Sequence, residues 1–370
     1  MVKLFCIGNG PKMSFTPYMS KMANSLDTLG IKVEYVTWAR KDLTGTDNGI
    51  DDPHCVELNL LMETQQSSNK VVLLFQYILW MLKLLTFFSF NGKNSKIICS
   101  RFETAFPIWI LSKFVSLEFM YCDRDNLHSI YPWPNFIRKI IKYIETKVAR
   151  DSKVHLIPGV SRDFTGFDNV RVIPNLPDRD TLEKSLQFSK ENNLYALRSG
   201  YKNVVYINGW LKPTRGLVHI KDALFSNRCE DTLFLIAGGI DTNLLRRIEG
   251  RTNCIYLGQL SNVVALSYYY IADLVVALYD PRIEINKVAE PNKWWDCAVT
   301  NTMFVSNFGI DTLKEFGKYA NFGCIDYGAE SALTEFLIND FDSLGLKARD
   351  IKSIEPWDIQ FNKVIQEFLK

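Results

Sequence analysis

Short apolar runs alternate along the chain with longer segments in which apolar residues recur at helical spacing. The first run covers residues 3–7 and ends in Gly8-Asn9-Gly10, and a helical pattern follows it. Further runs that predict strands cover residues 33–38, 95–100, 117–122, 154–158, 170–174, 204–208, 233–237, 254–257, 274–278 and 303–306. Strands alternating with helices predict parallel sheets that are covered by helices on both faces, which is an α/β fold.

This pattern is interrupted once and then restarts. Residues 178–200 are polar and charged, as expected of a connection between domains. We therefore expect two Rossmann-like domains, residues 1–176 and 201–354, with a linker over 177–200 and a cleft between them. The segment 355–370 has the apolar spacing of a terminal amphipathic helix.

The segment 71–90, VVLLFQYILWMLKLLTFFSF, is apolar over a length that could cross a membrane, which takes about 20 residues. Spanning is disfavoured because Lys83 lies inside the segment and strand-helix units continue on both sides of it. Two interpretations stay open, a helix resting on the membrane and a core helix. The first is helped by basic residues downstream, at Lys93, Lys96, Lys113, Arg138, Lys139 and Lys142.

Composition narrows the class of function. The chain has 43 Lys and Arg against 41 Asp and Glu, a net charge of +2, so it has no overall field for a polyanion and we expect no nucleic-acid partner. Aromatic residues make up 13%, which suits a large core, a sugar-stacking site or a membrane-contacting surface. The eight cysteines are scattered singly, and the N-terminus has no signal-peptide core. These two features predict a cytoplasmic protein without a zinc site.

Three segments could carry chemistry. The loop Gly8–Gly10 could bring backbone N–H groups to a phosphate, but the dinucleotide pattern G-x-G-x-x-G fails at Met13. The segment 209–216, GWLKPTRG, follows a predicted strand directly. The segment 290–296, EPNKWWD, places carboxylates and a lysine around a predicted helix start, where a diphosphate and a ribose could bind.

In these segments the chain resembles the retaining glycosyltransferases of the GT-B fold, in particular the family-4 group. That group commonly carries G-R-L-x-x-x-K-G, and here Gly209-Trp210-Leu211 is followed after three residues by Arg215-Gly216. Its later motif, P-N-K-L-F-E-Y-x-A-x-G-x-P-V-I, corresponds to residues 291–305. The strand ends LIAGG at 235–239 and YLGQL at 256–260 lie between the two motifs, in the family's order.

The resemblance implies that residues 201–354 bind a nucleotide-sugar donor. Arg215 and Lys293 would be catalytic, neutralising the diphosphate as it leaves, without a metal ion. Asp296 would accept hydrogen bonds from ribose hydroxyls. The remaining donor-binding residues implied are Gly10, Gly209, Gly239, Glu290 and Asn292.

The resemblance likewise implies that residues 1–176 bind the acceptor and that the helix 355–370 crosses back toward them. Asp123, which follows a predicted strand, would orient the acceptor hydroxyl as a catalytic residue, and Asp125 and His128 would contact the acceptor. An Asp-x-Asp pair also suggests a divalent cation, but that interpretation belongs to the other glycosyltransferase fold, so we expect no metal.

The function expected is transfer of a sugar, with retention, from a nucleotide-diphosphate sugar to a glycan or lipid-linked acceptor. We also expect peripheral contact with an anionic membrane and no further cofactor. Surface polysaccharide biosynthesis at the inner face of the membrane fits it. Three alternatives stay open. They are a nucleotide-sugar epimerase of the same form, an NAD(P)-dependent oxidoreductase, which Met13 disfavours, and a non-catalytic membrane-associated binding protein.

Overall fold

The computed structural model describes residues 3–40, 51–65, 67, 69–130, 133–288, 290–341 and 354–370. It divides into two compact units. Unit 1 comprises Met1–Pro174 and Trp357–Lys370, and unit 2 comprises Asn175–Pro356. Each unit is an α/β domain built on one parallel sheet.

The sheet of unit 1 has seven strands in the order β3-β2-β1-β4-β5-β6-β7. Its strands are β1 Lys3–Asn9, β2 Val33–Arg40, β3 Val56–Thr64, β4 Ser95–Ser100, β5 Leu117–Cys122, β6 Val154–Ile157 and β7 Val170–Val172. Its helices are α1 Pro17–Thr28, α2 Lys70–Asn91, α3 Phe102–Leu111, α4 Leu127–Ile130 and α5 Asn135–Asp151. The strand order reverses between β1 and β4, and such a switch point is where open α/β sheets bind ligands.

The C-terminal helix of the chain, Trp357–Leu369, packs in unit 1 against α1. Trp357 is fully buried and meets Tyr18 of α1 edge to face, with ring centroids 5.6 Å apart. Lys96 of β4 donates to the Phe368 carbonyl at 2.7 Å. Unit 1 is therefore completed by the last residues of the chain.

The sheet of unit 2 has six strands in the order β10-β9-β8-β11-β12-β13, so its switch point lies between β8 and β11. Its strands are β8 Asn203–Asn208, β9 Thr232–Ala237, β10 Cys254–Gly258, β11 Leu274–Val276, β12 Met303–Asn307 and β13 Phe322–Ile325. Its helices are α6 Arg179–Glu191, α7 Leu217–Phe225, α8 Thr242–Glu249, α9 Asn262–Ser267, α10 Glu284–Lys287, α11 Asn292–Thr300, α12 Leu313–Phe316 and α13 Ala332–Glu335. The helix Trp357–Leu369 is α14.

Residues 178–200 are ordered structure of unit 2. Asp178 accepts from the Thr181 N–H at 2.8 Å and caps α6, which packs against α9. Arg198 then pairs with Asp273 at 2.9 Å. The polar composition of this segment reflects a helix on the surface of unit 2 and its caps.

The apolar segment 71–90 forms most of α2. Trp80, Leu84 and Phe88 recur at every fourth position and are fully buried against the sheet. Lys83 donates to the Leu61 carbonyl at 3.1 Å, so its charge is solvated by the backbone of β3. By length and composition α2 could cross a membrane. Its most apolar stretch of 18 residues has a mean hydropathy of 2.0, and 17% of that stretch is buried inside the domain.

Candidate functional site

The two motifs of unit 2 meet at the switch point of its sheet. Gly209 and the turn Pro213–Arg215 follow β8, whereas Tyr279 and α11 follow β11, the strand next to β8. Because the carboxyl ends of adjacent parallel strands share one edge, these segments converge there although they are about 80 residues apart. The structure thus brings Arg215 and Lys293 to the same edge.

Lys293 lies in the first turn of α11 and its side chain crosses the backbone of Gly209. A Cβ atom at Gly209 would lie 3.7 Å from Lys293 Cε and 3.8 Å from its Nζ. Nζ donates to the Val276 carbonyl at 3.4 Å. Burial, and after it the charge of Arg215, lowers the pKa of Lys293 to about 8. The two cations are therefore close enough to repel each other.

Arg215 is held by an aromatic ring and remains exposed. Its Cζ lies 4.3 Å from the centroid of Tyr279, a cation–π distance. Burial raises the pKa of Tyr279 to about 12, and the Arg215 charge opposes that shift. In the described part of the chain, no carboxylate oxygen lies within 4 Å of either the Arg215 guanidinium or the Lys293 ammonium. Both cations are thus positioned to bind an anion.

Glycines allow the loops after β8 and β9 to touch. Gly238 has a φ of +106°, and a Cβ there would lie 2.3 Å from the Gly209 carbonyl oxygen. A Cβ at Gly239 would lie 2.4 Å from the ring of Trp210, which rests on this glycine and is 67% exposed. Trp210 stands at the arginine position of the motif G-R-L-x-x-x-K-G, so this position offers a ring face to a ligand and no charge.

The remaining predicted donor-binding residues surround the start of α11. Asn292 is its first residue and is exposed, and Glu290 precedes it and is half-buried. Asp296 lies one turn after Lys293, half-buried. Burial and then the Asp296 charge raise the pKa of Tyr269. The helix start, its lysine and this carboxylate form one polar site, with the N-terminal dipole adding positive potential.

The glycine loop of unit 1 is closed by its own chain. The Gly10 N–H donates to the Trp38 carbonyl at 3.2 Å, and the Thr37 hydroxyl donates to the Gly10 carbonyl at 2.5 Å. Asp52 accepts from the N–H groups of Met13 at 2.9 Å and Ser14 at 2.5 Å. The loop predicted to bind the donor therefore has a carboxylate of this chain where a phosphate would lie.

Asp123 lies inside unit 1 with 1% of its surface exposed. Its Oδ2 is 3.6 Å from Nε2 of the buried His155, which stacks on Tyr121 with ring centroids 5.1 Å apart. Contact with an acceptor hydroxyl would require this side chain to move. Asp125, two residues on, is exposed.

His128 is buried and engaged in a local network. Its Nδ1 lies 2.6 Å from Oε2 of Glu145, a fully buried residue of α5. The same carboxylate accepts from the N–H groups of Leu127 at 2.7 Å and His128 at 3.1 Å. This arrangement fastens the short helix α4 to α5, which accounts for His128 without a ligand.

Sequence reasoning missed a second cluster of cations at the carboxyl edge of the unit 1 sheet. Lys12, Arg40, Arg101 and Arg124 line one cavity there. Arg40 is the last residue of a strand, and the other three cations follow a strand by at most three residues. This recurrence of cations at strand ends is the sequence signal that could have revealed the cluster.

Among the described residues, no group of three or more His, Cys, Asp or Glu side chains could hold a metal ion.

No protein-family model and no curated protein matches the chain. Solved structures match its fold over nearly the whole length. Sucrose-phosphate synthase from Thermosynechococcus elongatus matches with a TM-score of 0.62 and 13% identity, covering 100% of this chain and 99% of that one. Anabaena HepE, solved with UDP and glucose, matches with a TM-score of 0.59 and 12% identity, covering 100% and 99%. The chain has the GT-B fold.

A third similar structure has another activity. A Listeria monocytogenes protein assigned as a UDP-N-acetylglucosamine 2-epimerase matches with a TM-score of 0.61 and 10% identity, covering 98% of this chain and 95% of that one. At these identities the likeness extends to the fold alone. Function has to be argued from the site.

Proposed function

We propose that the chain is a retaining glycosyltransferase that takes a sugar from a nucleotide-diphosphate donor bound by unit 2. The observation that carries this proposal is the convergence of Arg215 and Lys293 at the switch point between β8 and β11. Two close cations beside a helix N-terminus are suited to a diphosphate, whose two phosphates carry adjacent charges. HepE, of the same fold, was solved with UDP.

The cations would act most strongly as the bond between sugar and diphosphate breaks. Negative charge then grows on the leaving phosphate oxygen, next to Arg215 and Lys293, so the two side chains stabilise the transition state more than the bound donor. Asp296 would accept hydrogen bonds from the ribose hydroxyls. This division of roles needs no metal ion.

Release of nucleoside diphosphate from a panel of nucleotide sugars tests the proposal. Lys293→Met and Arg215→Gln should each lower kcat/KM by about 10²–10³, the usual effect of removing one such group. Lys314→Met and Arg246→Gln remove the same charges from exposed positions of unit 2 and should change little. Absence of nucleoside diphosphate release, or equal loss in the control variants, would contradict the proposal.

The same reactions distinguish the epimerase alternative. An epimerase converts the donor sugar in the absence of any acceptor and releases no nucleoside diphosphate in net turnover. A transferase forms a new glycoside when an acceptor is added. Analysis of the products with and without acceptor therefore separates the two enzymes of this fold.

We further propose that unit 1 works against an anionic membrane at its cytoplasmic face, on a glycan or lipid-linked acceptor of surface polysaccharide synthesis. The outer side of α2 supports this, because it is apolar and exposed along its first three turns. We call this surface the α2 face; each member is at least 40% exposed, and the members are Val71, Leu74, Phe75, Ile78, Leu79 and Leu82.

A second helix, α5, adds charge on the same side of the sheet as α2. α2 packs on α3 and α3 on α5, and the first turns of α2 and α5 both lie at the carboxyl edge of the sheet because each helix follows a strand. There α5 exposes Phe136, Ile140 and Tyr143. Arg138, Lys139 and Lys142 lie in the same turns, a composition typical of helices on anionic bilayers.

Sedimentation with vesicles tests the membrane proposal. The wild type should sediment with vesicles containing phosphatidylglycerol at low salt, and Phe75→Glu should weaken this about tenfold, since burying a phenylalanine contributes roughly 1.5–3 kcal/mol. Phe308→Glu adds the same charge at an exposed phenylalanine of unit 2 and is the control. Equal binding by both variants would contradict membrane contact through α2.

A further inference from the structure

The switch point of the unit 1 sheet holds a cavity of about 180 Å³. It lies among the loops that follow the strands, and four cations from four different strand ends line it. Lys12 follows β1, Arg40 ends β2, Arg101 follows β4 and Arg124 follows β5. In open α/β sheets, the loops that follow the strands on both sides of a switch point form the ligand-binding site.

The charges of the three arginines in this cavity are not paired with acids of the described chain. Its lining, as far as the chain is described, includes the four cations and no carboxylate. In that same part of the chain, none of the three arginines has a carboxylate oxygen within 4 Å. Lys12 lies 3.7 Å from the exposed Asp51. The cavity therefore has a surplus of positive charge.

Three acids lie near the cluster, and none of them forms an ion pair with its arginines among the described contacts. Asp52 is engaged by the N–H groups of Met13 and Ser14. Asp125 is exposed beside Arg124. Glu103 lies near Arg40 and Arg101, and its burial raises the pKa of its carboxyl.

Aromatic side chains hold two of the arginines in place. Arg40 Cζ lies 4.2 Å from the ring centroid of Trp38, and its Nη2 donates to the Tyr77 hydroxyl at 2.9 Å, while its Nε is buried without a hydrogen bond. Arg124 Cζ lies 4.7 Å from the ring centroid of Tyr18. Guanidinium groups fixed in this way need little reordering to bind an anion.

The backbone supports the third arginine. Arg101 has a φ of +76°, the left-handed region that residues other than glycine rarely adopt, and its N–H donates to the Cys122 carbonyl at 3.0 Å. In this conformation Arg101 is the N-cap residue before α3, and it lines the cavity. Strain of this kind persists where the surrounding structure fixes it, and it is concentrated at binding sites.

We propose that this cavity binds the phosphate group of a phosphorylated acceptor. Three guanidinium forks and an ammonium match the several oxygens and the double charge of a phosphomonoester better than a single carboxylate. The proposal rests on the proposed function, in which unit 1 binds the acceptor. The shared chemistry is a phosphate monoester, carried by a soluble sugar phosphate or by a lipid phosphate.

The place of the cavity bears on both sources. Tyr77, which contacts Arg40, belongs to α2 and lies on the opposite side of that helix from the α2 face. A phosphate in the cavity would therefore be about one helix diameter, roughly 10 Å, from the exposed apolar side chains. A lipid chain attached to that phosphate could reach the α2 face, and a soluble sugar phosphate would leave it uncovered.

Calorimetric titration of the full chain with inorganic phosphate and with glucose 6-phosphate tests the cavity. We expect saturable binding that Arg101→Gln and Arg124→Gln each weaken about tenfold or more, since a hydrogen bond to a charged group contributes about 1.5–3 kcal/mol. Arg101→Lys should retain part of the affinity, and Arg246→Gln in unit 2 should retain all of it. Circular dichroism would confirm that each variant is folded, and Lys12→Gln provides a substitution outside the strained backbone. No saturation, or equal affinity in all variants, would overturn the proposal.

Vesicles separate the two sources. Phosphatidic acid presents a phosphate monoester and phosphatidylglycerol a diester, so a preference for phosphatidic acid that Arg101→Gln abolishes supports a lipid phosphate. Loss of glucose 6-phosphate binding in the same variant, without such a preference, supports a soluble acceptor. If neither ligand depends on Arg101 and Arg124, the cavity is not a phosphate site.

Measurements of nucleotide binding distinguish a failure of this inference from a failure of the proposed function. The cavity variants should bind nucleoside diphosphate like the wild type, because Arg215 and Lys293 belong to unit 2. If the wild type binds no nucleoside diphosphate yet binds phosphate through Arg101, the proposed function fails and the phosphate site stands. The opposite pattern refutes the phosphate site and leaves the function intact.

Discussion

The carboxyl edges of the two sheets have the same kind of switch point, but their glycine loops differ. In unit 1 the loop after β1 is closed, because Thr37 and Asp52 bond to its carbonyl and N–H groups. In unit 2 the loop after β8 has a cation over Gly209, contributed by Lys293. In both units a glycine after the first strand lets other groups approach the backbone closely. The neighbouring side chains then decide whether groups of the chain itself or a ligand bind at that loop.

The same contrast holds for charge. At the carboxyl edge of the unit 2 sheet, the half-buried Asp296 lies one turn after Lys293, and the Lys293 ammonium is close to Arg215. Around the unit 1 edge the described lining of the cavity contains four cations and no carboxylate. We therefore expect nucleotide binding to depend on unit 2 and phosphate binding on unit 1.

The largest effect should come from closing the unit 2 loop. Gly238→Ala introduces a Cβ 2.3 Å from the Gly209 carbonyl oxygen at a φ of +106°, so it should lower the free energy of unfolding by about 3 kcal/mol and weaken nucleotide binding. Gly250→Ala is the control, since its nearest contact would be 3.8 Å away. Denaturant unfolding measures both variants, and equal stability would mean that the loops do not approach each other as described.

A smaller loss should follow in unit 1 when the network under α4 is broken. Glu145→Ala removes the acceptor of two backbone N–H groups and the partner of His128, so we expect about 2 kcal/mol lower stability. Glu57→Ala, at an exposed position of β3, should stay within about 0.5 kcal/mol. Nucleotide affinity should be unchanged in both, and a selective loss of affinity in Glu145→Ala would link this network to the donor.

The smallest effect is a dependence of nucleotide affinity on pH. Because the pKa of Lys293 is lowered to about 8, the ammonium that binds the diphosphate is present below pH 8 and is lost above it. Affinity should fall by no more than about twofold between pH 7 and 8 and then by up to about tenfold per pH unit. Lys293→Arg should remain constant to pH 9.5, because its guanidinium stays charged. A flat profile in the wild type would show that Lys293 does not bind the diphosphate.

Most of the strands could be predicted from the sequence, because they are short apolar runs that are buried on both faces. β3 and β13 were missed. β3 is an edge strand with Leu58 and Leu60 exposed, so its apolar pattern does not indicate a buried face. The segment 178–200 was expected to be a linker, yet α6 within it packs on unit 2 through contacts with residues about 80 positions away.

The placement of two residues of the candidate site at one sheet edge could be predicted, because they lie in ordered motifs. Arg215 and Lys293 follow their strands within motifs, and the topology then brings them together. The burial of Asp123 depends on His155, and that of His128 depends on Glu145, residues 32 and 17 positions away. Patterns within one element do not contain such contacts. The same limit explains why the cations at Arg40 and Arg101 went unrecognised.

The central claim is that Arg215 and Lys293 bind one diphosphate, and calorimetry with paired ligands tests it most directly. UDP, GDP and ADP are titrated beside the matching nucleosides, which lack the diphosphate. Arg215→Gln and Lys293→Met should each weaken the preferred nucleoside diphosphate at least tenfold and leave the affinity for its nucleoside unchanged. Equal losses for nucleotide and nucleoside, or no loss in either variant, would contradict the account.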